Sequence, residues 1–223
     1  MPVGRARLFK ADRTRADLAA GPWRALYPWR GALRVTRADG ASETVRAGEG
    51  HVLGRGACRI DTLDPDGRYF LWEIDGPEVT GAEVPRGLAE LMRYDMPLLP
   101  GERAATRNEA ALRFERVDLK PGVETPCHTH LGSGLRVLIE GELEAEIDGH
   151  VRQLRPGDSW LEKGPGEAVI GRAAPDCRTA FVRLLVLPAD AEGADSFVLL
   201  EDGEVDRPRP AAYERFHEER IVL

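Results

Sequence analysis

The sequence of 223 residues is 42% hydrophobic and 31% charged, and its formal net charge at pH 7 is −7. This composition supplies enough apolar residues for a folded core, and the acidic balance argues against a nucleic-acid-binding protein, which usually carries a basic face. No apolar run approaches the ~18 residues that span a bilayer, and no apolar segment follows the basic N-terminus as in a secretory signal. We therefore expect a cytoplasmic protein without a nucleic-acid or membrane partner, and three cysteines without paired spacing fit a reducing compartment.

The first half of the chain combines strand patterning with one helix-like segment. Residues 39–49 read DGASETVRAGE, in which the Asp-Gly pair marks a hairpin turn. Farther on, Leu88, Leu91 and Met92 fall on one face at helical spacing. The sequence therefore predicts one short connecting helix near residues 85–94.

The second half of the chain repeats the strand patterning of the first. Apolar residues alternate with polar ones in 111–120 and 135–148, and 178–187 is a largely apolar run suited to a buried strand. Residues 148–158 read DGHVRQLRPGD and match 39–49 at an offset of 109 residues. These patterns predict an all-β protein with a duplicated unit.

His128 and His130 are the residues whose spacing points most directly to chemistry. Successive side chains of a strand alternate between its faces, so two histidines separated by one residue project on the same side. Neutral imidazoles each offer a nitrogen lone pair, and the strand fixes their separation. The pair is therefore a candidate for metal binding, and a pair hydrogen-bonded inside a pocket is the alternative.

The segment around this pair resembles the first motif of the cupin superfamily. Gly122 is followed by five residues and His-x-His, and the stretch closes with Gly141. The following DGHVRQLRPGDSWLEKGPGEAVI resembles the second cupin motif. This resemblance implies an all-β fold of two cupin-type antiparallel β-barrels, or jelly rolls. It also implies a divalent metal ion such as Fe, Mn, Ni or Zn, held by three histidines and one glutamate.

The resemblance divides the chain into three parts. Residues 1–95 are expected to form an N-terminal cupin-like barrel that lacks the histidine pair, and residues 96–190 a second barrel that carries the metal site. Residues 191–223 belong to an acidic tail, because 190–223 hold ten acidic residues against four arginines. This tail is expected to pack on a barrel or on a partner subunit of a homodimer.

Two of the four ligands implied by the resemblance are missing. The family's glutamate falls at Gly134, and its third histidine falls within Glu167, Ala168 and Val169. Glu167 and Glu162 are the carboxylates that could rebuild the site, and two histidines with one carboxylate suit Fe(II) or Mn. A metal site that has been lost is the alternative.

Arg136 and Trp160 are candidate substrate-binding residues. Strand parity from the family's glutamate position turns Arg136 inward, where its guanidinium suits a carboxylate of a substrate or of a nearby glutamate. Trp160 is expected to form part of the pocket wall or of the core.

Three functional hypotheses remain open at this point. The first is a metal-dependent enzyme of undetermined reaction class, acting on a small organic acid. The second is a non-catalytic protein that binds or senses a small molecule in a barrel whose metal site is degenerate. The third is an interaction module that works through its tails.

Overall fold

The computed structural model describes residues 4–12, 15–76, 83–97, 109–200 and 211–223. The chain divides into two compact units. The first contains Met1–Leu98 with Val222–Leu223, and the second contains Leu99–Ile221. The division lies three residues beyond the expected end of the first barrel at residue 95.

The first unit consists of two antiparallel sheets, with strand orders β6-β3-β8-β1-β9 and β2-β7-β4-β5. Its strands are β1 (Gly4–Asp12), β2 (Ala16–Leu18), β3 (Trp23–Arg30), β4 (Leu33–Arg37), β5 (Ser42–Val45), β6 (His51–Gly54), β7 (Cys58–Thr62), β8 (Arg68–Asp75) and β9 (Ala89–Met96).

The second unit also consists of two antiparallel sheets, with orders β15-β12-β17-β10-β19 and β14-β13-β16-β11-β18. Its strands are β10 (Glu109–Leu119), β11 (His128–His130), β12 (Ser133–Glu140), β13 (Leu143–Ile147), β14 (His150–Leu154), β15 (Ser159–Glu162), β16 (Val169–Ala173), β17 (Thr179–Pro188), β18 (Phe197–Leu199) and β19 (Ala211–Val222).

The two units share one topology, as the internal repeat predicts. One sheet of each unit has five strands in an equivalent order. Its three central strands are β3, β8 and β1 in the first unit, and these correspond to β12, β17 and β10 in the second. The two Asp-Gly segments form the equivalent hairpins β4–β5 and β13–β14. The prediction of an all-β fold with two cupin-type units is therefore confirmed.

The predicted helix near residues 85–94 is wrong. Ala89–Met96 forms strand β9, which pairs antiparallel with β1, and within the described ranges the only helical element is the 3₁₀ turn Ala189–Ala191. Strand β9 takes the edge position in the first unit that β19 takes in the second. Pairing with a neighbouring strand therefore outweighs the local helical spacing of Leu88, Leu91 and Met92.

Each unit buries its core between its two sheets. In the second unit, Leu138 and Phe181 of one sheet pack with Leu143 and Ala173 of the other. Side chains of the first unit form an equivalent cluster that includes Phe9, Leu26, Leu71, Val35 and Ile60. Inward-facing side chains of both sheets therefore surround the space in which the candidate site of the second unit lies.

The segment expected to be a separate acidic tail contributes strands to the second unit. Strand β18 pairs with β11, and β19 lies beside β10 at the sheet edge. The stretch 201–210, which holds several of its acidic residues, lies outside the described residues. None of the helices described is long and apolar enough to cross a membrane.

Candidate metal centre

The interior of the second unit encloses a cavity with a mostly apolar wall. Side chains from both sheets line it, among them Val117, Leu119, Leu143, Ala145, Trp160, Val169, Ile170, Phe181 and Phe197. Four side chains with imidazole or charged groups interrupt this wall: His128, His130, Glu162 and Arg183. The first three meet at one point of the cavity.

His128, His130 and Glu162 form a group that could hold a metal ion. One ligand atom from each residue lies within 4.8 Å of the others, and all three residues are buried. The histidines project from β11 on the same side, as their spacing predicts, and Glu162 ends β15 in the opposite sheet. The arrangement supplies two imidazoles and one carboxylate.

Backbone carbonyls orient both imidazole rings. Nδ1 of His128 lies 2.8 Å from the carbonyl oxygen of Pro126, and Nδ1 of His130 lies 3.3 Å from that of Ser196. A carbonyl only accepts hydrogen bonds, so a neutral ring that carries its proton on Nδ1 can donate to these carbonyls in both residues. The Nε2 atoms then keep their lone pairs, which is the usual state of a histidine that ligates a metal through Nε2.

Glu162 occupies the place opposite the missing family glutamate. Gly134 and Glu162 are direct cross-strand partners on β12 and β15. The carboxylate that the family motif would carry at position 134 is therefore supplied from the neighbouring strand. Trp160 Nε1 donates a 2.9 Å hydrogen bond to Glu162 Oε1, which orients this carboxylate.

Leu185 and Arg136 leave no room for a side chain at position 134. A Cβ atom added at Gly134 would collide with Leu185 Cδ2 and would lie 2.7 Å from Arg136 Nη1, which donates a 2.7 Å hydrogen bond to the Gly134 carbonyl. Arg136 is fully buried, and its Nη2 lies 2.5 Å from Glu162 Oε2. The residue is thus an internal partner of Glu162, and it is not among the residues that line the cavity.

The protonation states of this group favour metal binding at neutral pH. Burial lowers the pKa of His130 to about 3 and also lowers the pKa of His128, so both rings are neutral. Burial by itself would raise the pKa of Glu162, but the charges around it, first among them the Arg136 guanidinium, hold this pKa below its ordinary value. Neutral imidazoles and an ionised carboxylate are the ligand forms that a metal requires.

Glu167 stands apart from this group. Its Oε2 accepts a 2.5 Å hydrogen bond from the backbone amide of Lys163, and its Oε1 lies 3.7 Å from Lys163 Nζ. These contacts bind Glu167 to its own turn, and it does not belong to the three-residue group. Of the two carboxylates predicted as ligands, the structure brings only Glu162 to the histidines.

Several residues of the cavity were missed by sequence reasoning. Arg183 lies in the apolar run of β17, where a charged residue flanked by apolar ones was a usable signal, and it pairs with Glu115. Phe197 stacks on His128 with ring centroids 4.0 Å apart, and Tyr213 lies beside Arg183. Both aromatic residues come from the segment expected to be a tail, where no spacing connects them with the barrel.

The candidate site lies within a segment of the sequence that matches a known protein-family model. Residues 115–164, which include both histidines and Glu162, match the family model described as Cupin domain. This segment of the second unit is therefore a cupin domain.

Several solved structures are similar to this chain over most of its length. AerE from Microcystis aeruginosa has a TM-score of 0.56 at 12% identity, over 82% of this chain and 88% of that chain. A deletion mutant of oxalate decarboxylase from Bacillus subtilis has a TM-score of 0.55 at 14% identity, over 93% and 74%. Salicylate 1,2-dioxygenase from Pseudaminobacter salicylatoxidans has a TM-score of 0.53 at 13% identity, over 82% and 71%. These likenesses show the fold, and no curated protein matches the sequence.

The residues of this cavity fit a divalent metal. Glu162 Oε2 is buried 3.0 Å from His130 Nε2 and forms an ion pair with Arg136 Nη2, 2.5 Å away, but it makes no hydrogen bond of regular geometry. With the ring proton on Nδ1, the His130 lone pair and this oxygen face each other as two acceptors. A metal ion between them would satisfy the His130 lone pair and share the carboxylate with Arg136, so the arrangement favours a metal ligand set.

Proposed function

We propose that this cupin binds one divalent metal ion through His128, His130 and Glu162 and acts on a small organic acid in the cavity beside them. The observation that carries the proposal is the convergence of three buried ligand residues, whose nitrogen and oxygen atoms lie within 4.8 Å of one another, with His130 Nε2 only 3.0 Å from Glu162 Oε2. Two imidazoles and one carboxylate suit Fe(II) or Mn, and Ni or Zn also binds such donors.

The protein's own residues would prepare the site for this chemistry. A bound divalent ion would supply Lewis acidity or redox chemistry, with positions left for a ligand. The Pro126 and Ser196 carbonyls hold the imidazoles in one tautomer, and Trp160 orients the carboxylate. The apolar wall excludes water and strengthens every electrostatic interaction inside the cavity.

The similar structures support an acidic substrate. One is named as a salicylate dioxygenase and another as an oxalate decarboxylase, so proteins of this fold act on organic acids of different size. Identities of 13% and 14% do not transfer either substrate to this chain. The reaction class of the proposed enzyme therefore has to be found by experiment.

Metal analysis of the purified, untagged protein tests the proposal. We expect near-stoichiometric Fe, Mn, Ni or Zn by mass spectrometry, and loss of this metal in His128→Ala/His130→Ala. His150→Ala is the matched control, because this histidine is exposed on β14 outside the cavity. Trace metal that is the same in all three proteins would overturn the metal centre.

A non-catalytic binding protein is the second candidate function. The third family histidine is absent, and Glu162 already has a cationic partner in Arg136, 2.5 Å away. If the carboxylate serves only this ion pair, the cavity binds an organic acid without metal. Tight binding of an acid by metal-free protein, unchanged on adding metal, would favour this candidate.

A further inference from the structure

Arg183 is the cation through which the cavity can contact a ligand. It is the only arginine or lysine among the described residues that line the cavity, and it retains 5% exposure. Its Nε and Nη2 both donate to Glu115 Oε1, at 2.8 and 2.5 Å. Because both bonds converge on one oxygen, Nη1 takes no part in this pair and stays usable for a second anion.

Arg136, by contrast, is committed to the protein interior. Its side chain has no exposure, its Nη1 serves the Gly134 carbonyl, and its Nη2 lies against Glu162. A ligand in the cavity therefore meets Arg183 first.

Charge balance favours an anion in the metal-loaded cavity. Arg136 with Glu162 and Arg183 with Glu115 form two buried pairs that are each neutral. A divalent ion held by neutral imidazoles and Glu162 would add two uncompensated positive charges to this interior. Buried charge without a counter-charge is strongly unfavourable, so a ligand that brings negative charge is preferred over a neutral one. The number of carboxylates that the ligand can carry is decided by the hydrogen-bond donors along the wall.

The rest of the wall selects the body of the ligand. The wall carries the hydroxyls of Thr125 and Tyr213, but most of its remaining surface is apolar. A second carboxylate packed against that apolar surface would lose its hydration without replacement. The apolar surface is formed by Val117, Leu119, Leu143, Ala145 and Phe181. The Tyr213 ring lies 5.7 Å from the Arg183 guanidinium and extends this surface next to the cation. A ligand with one charged end and one apolar end matches both parts of the wall.

We propose that the substrate class of this site is a monocarboxylate with an apolar body, whose carboxylate contacts Arg183. The inference rests on the proposed metal centre for the excess positive charge. It adds to that proposal by naming the contacting residue and by excluding dicarboxylates and neutral amides.

Three compounds of nearly equal shape test the inference on the metal-loaded wild-type protein. Crotonate has one carboxylate and a methyl end, fumarate replaces the methyl by a second carboxylate, and crotonamide is uncharged. Isothermal titration calorimetry should show crotonate binding at least about ten-fold more tightly than either of the others, since losing a charged hydrogen bond or burying an unpaired charge costs at least this factor.

Substitution of the cation then tests the assignment to Arg183. Arg183→Met/Glu115→Gln removes the buried pair as a unit, and Arg215, which also approaches Glu115, keeps its partner Glu218. The double variant should weaken crotonate binding about ten-fold or more while metal content stays at the wild-type level. Arg178→Met is the control, because this arginine is largely exposed and contacts Asp118 outside the cavity.

The outcomes separate the two proposals. Wild-type metal content with equal affinity for crotonate, fumarate and crotonamide overturns the monocarboxylate inference and leaves the metal centre standing. Crotonate binding that depends on Arg183 in a protein without metal supports the contact and overturns the metal centre. Unchanged crotonate affinity in the double variant overturns the assignment to Arg183.

Discussion

Glu162 has two roles in this site, as a proposed metal ligand and as the partner of Arg136, and substitution separates them. Glu162→Gln leaves Arg136 buried without a counter-charge, so we expect a loss of about 3–5 kcal/mol in the free energy of unfolding together with loss of metal. Chemical denaturation and metal analysis measure the two effects.

The double variant Glu162→Gln/Arg136→Met supplies the control for this substitution. It removes the pair as a unit and should recover most of the stability while staying free of metal. If metal content is normal in either variant, Glu162 is not a ligand.

The sequence predicts part of this site, and the reason lies in strand geometry. His128 and His130 project from the same face because side chains of a strand alternate with a period of two residues. This prediction needs no tertiary information. The choice between Glu162 and Glu167 depends on which residue pairs with Gly134 on the adjacent strand. The number of residues between them in the sequence does not give that strand register. The pairing of Arg183 with Glu115 is likewise a contact between strands far apart in sequence.

At the scale of elements, hairpin turns are predictable because their conformations demand particular residues. Asp148 and Gly149 have φ angles of 48° and 76° between β13 and β14, which are the positive values that a two-residue hairpin turn requires. Strand β9 was not predictable in this way, since its local helical spacing conflicts with pairing to β1.

Gly149→Ala tests the turn. A Cβ atom at Gly149 would meet nothing within 4 Å, so its cost comes from the positive φ alone, about 1 kcal/mol of unfolding free energy. Gly56→Ala is the matched control, because its surroundings are equally open and its φ lies outside the left-handed region. Calorimetry should show a lower melting temperature for Gly149→Ala only. Equal melting temperatures would contradict the turn's requirement for glycine.

Strand β19 is joined to β10 by an ion pair that should respond to pH. Glu218 Oε1 accepts hydrogen bonds of 2.8 and 2.5 Å from Arg113, which is almost fully buried. Burial opposes ionisation of Glu218, but the hydrogen bonds from Arg113 and the Gly193 amide, with the charges of Arg113 and Arg215, together outweigh it and hold the pKa of this carboxyl below its ordinary 4.5. The contribution of this ion pair to the free energy of unfolding is therefore complete above pH 4.5, and it is lost as the pH falls through the lowered pKa of Glu218.

Glu218→Gln should remove this stabilisation. We expect a loss of about 2 kcal/mol in unfolding free energy at pH 7, which shrinks towards zero in acid below the lowered pKa. Denaturation curves at several pH values measure the difference from wild type. Glu214→Gln, an exposed position on the same strand, should match wild type throughout. A Glu218→Gln effect that does not change with pH would show that ionisation of Glu218 is not involved.

At the scale of the whole molecule, the duplicated topology leaves a strand at the edge of every sheet, including β9 and β19. Exposed edges favour association, and the homodimer expected from the sequence remains a prediction. Light scattering after size exclusion should give twice the chain mass of 24.6 kDa. A mass equal to a single chain at micromolar concentration would contradict it.

The position of the metal tests the central claim most directly. Anomalous diffraction from crystals of metal-loaded protein should give one strong peak in the second unit, about 2.0–2.2 Å from Nε2 of His128 and His130 and from a Glu162 oxygen. A cavity without a peak, or a peak only at other side chains such as His217 and Glu219, which lie 3.1 Å apart, would contradict the metal centre.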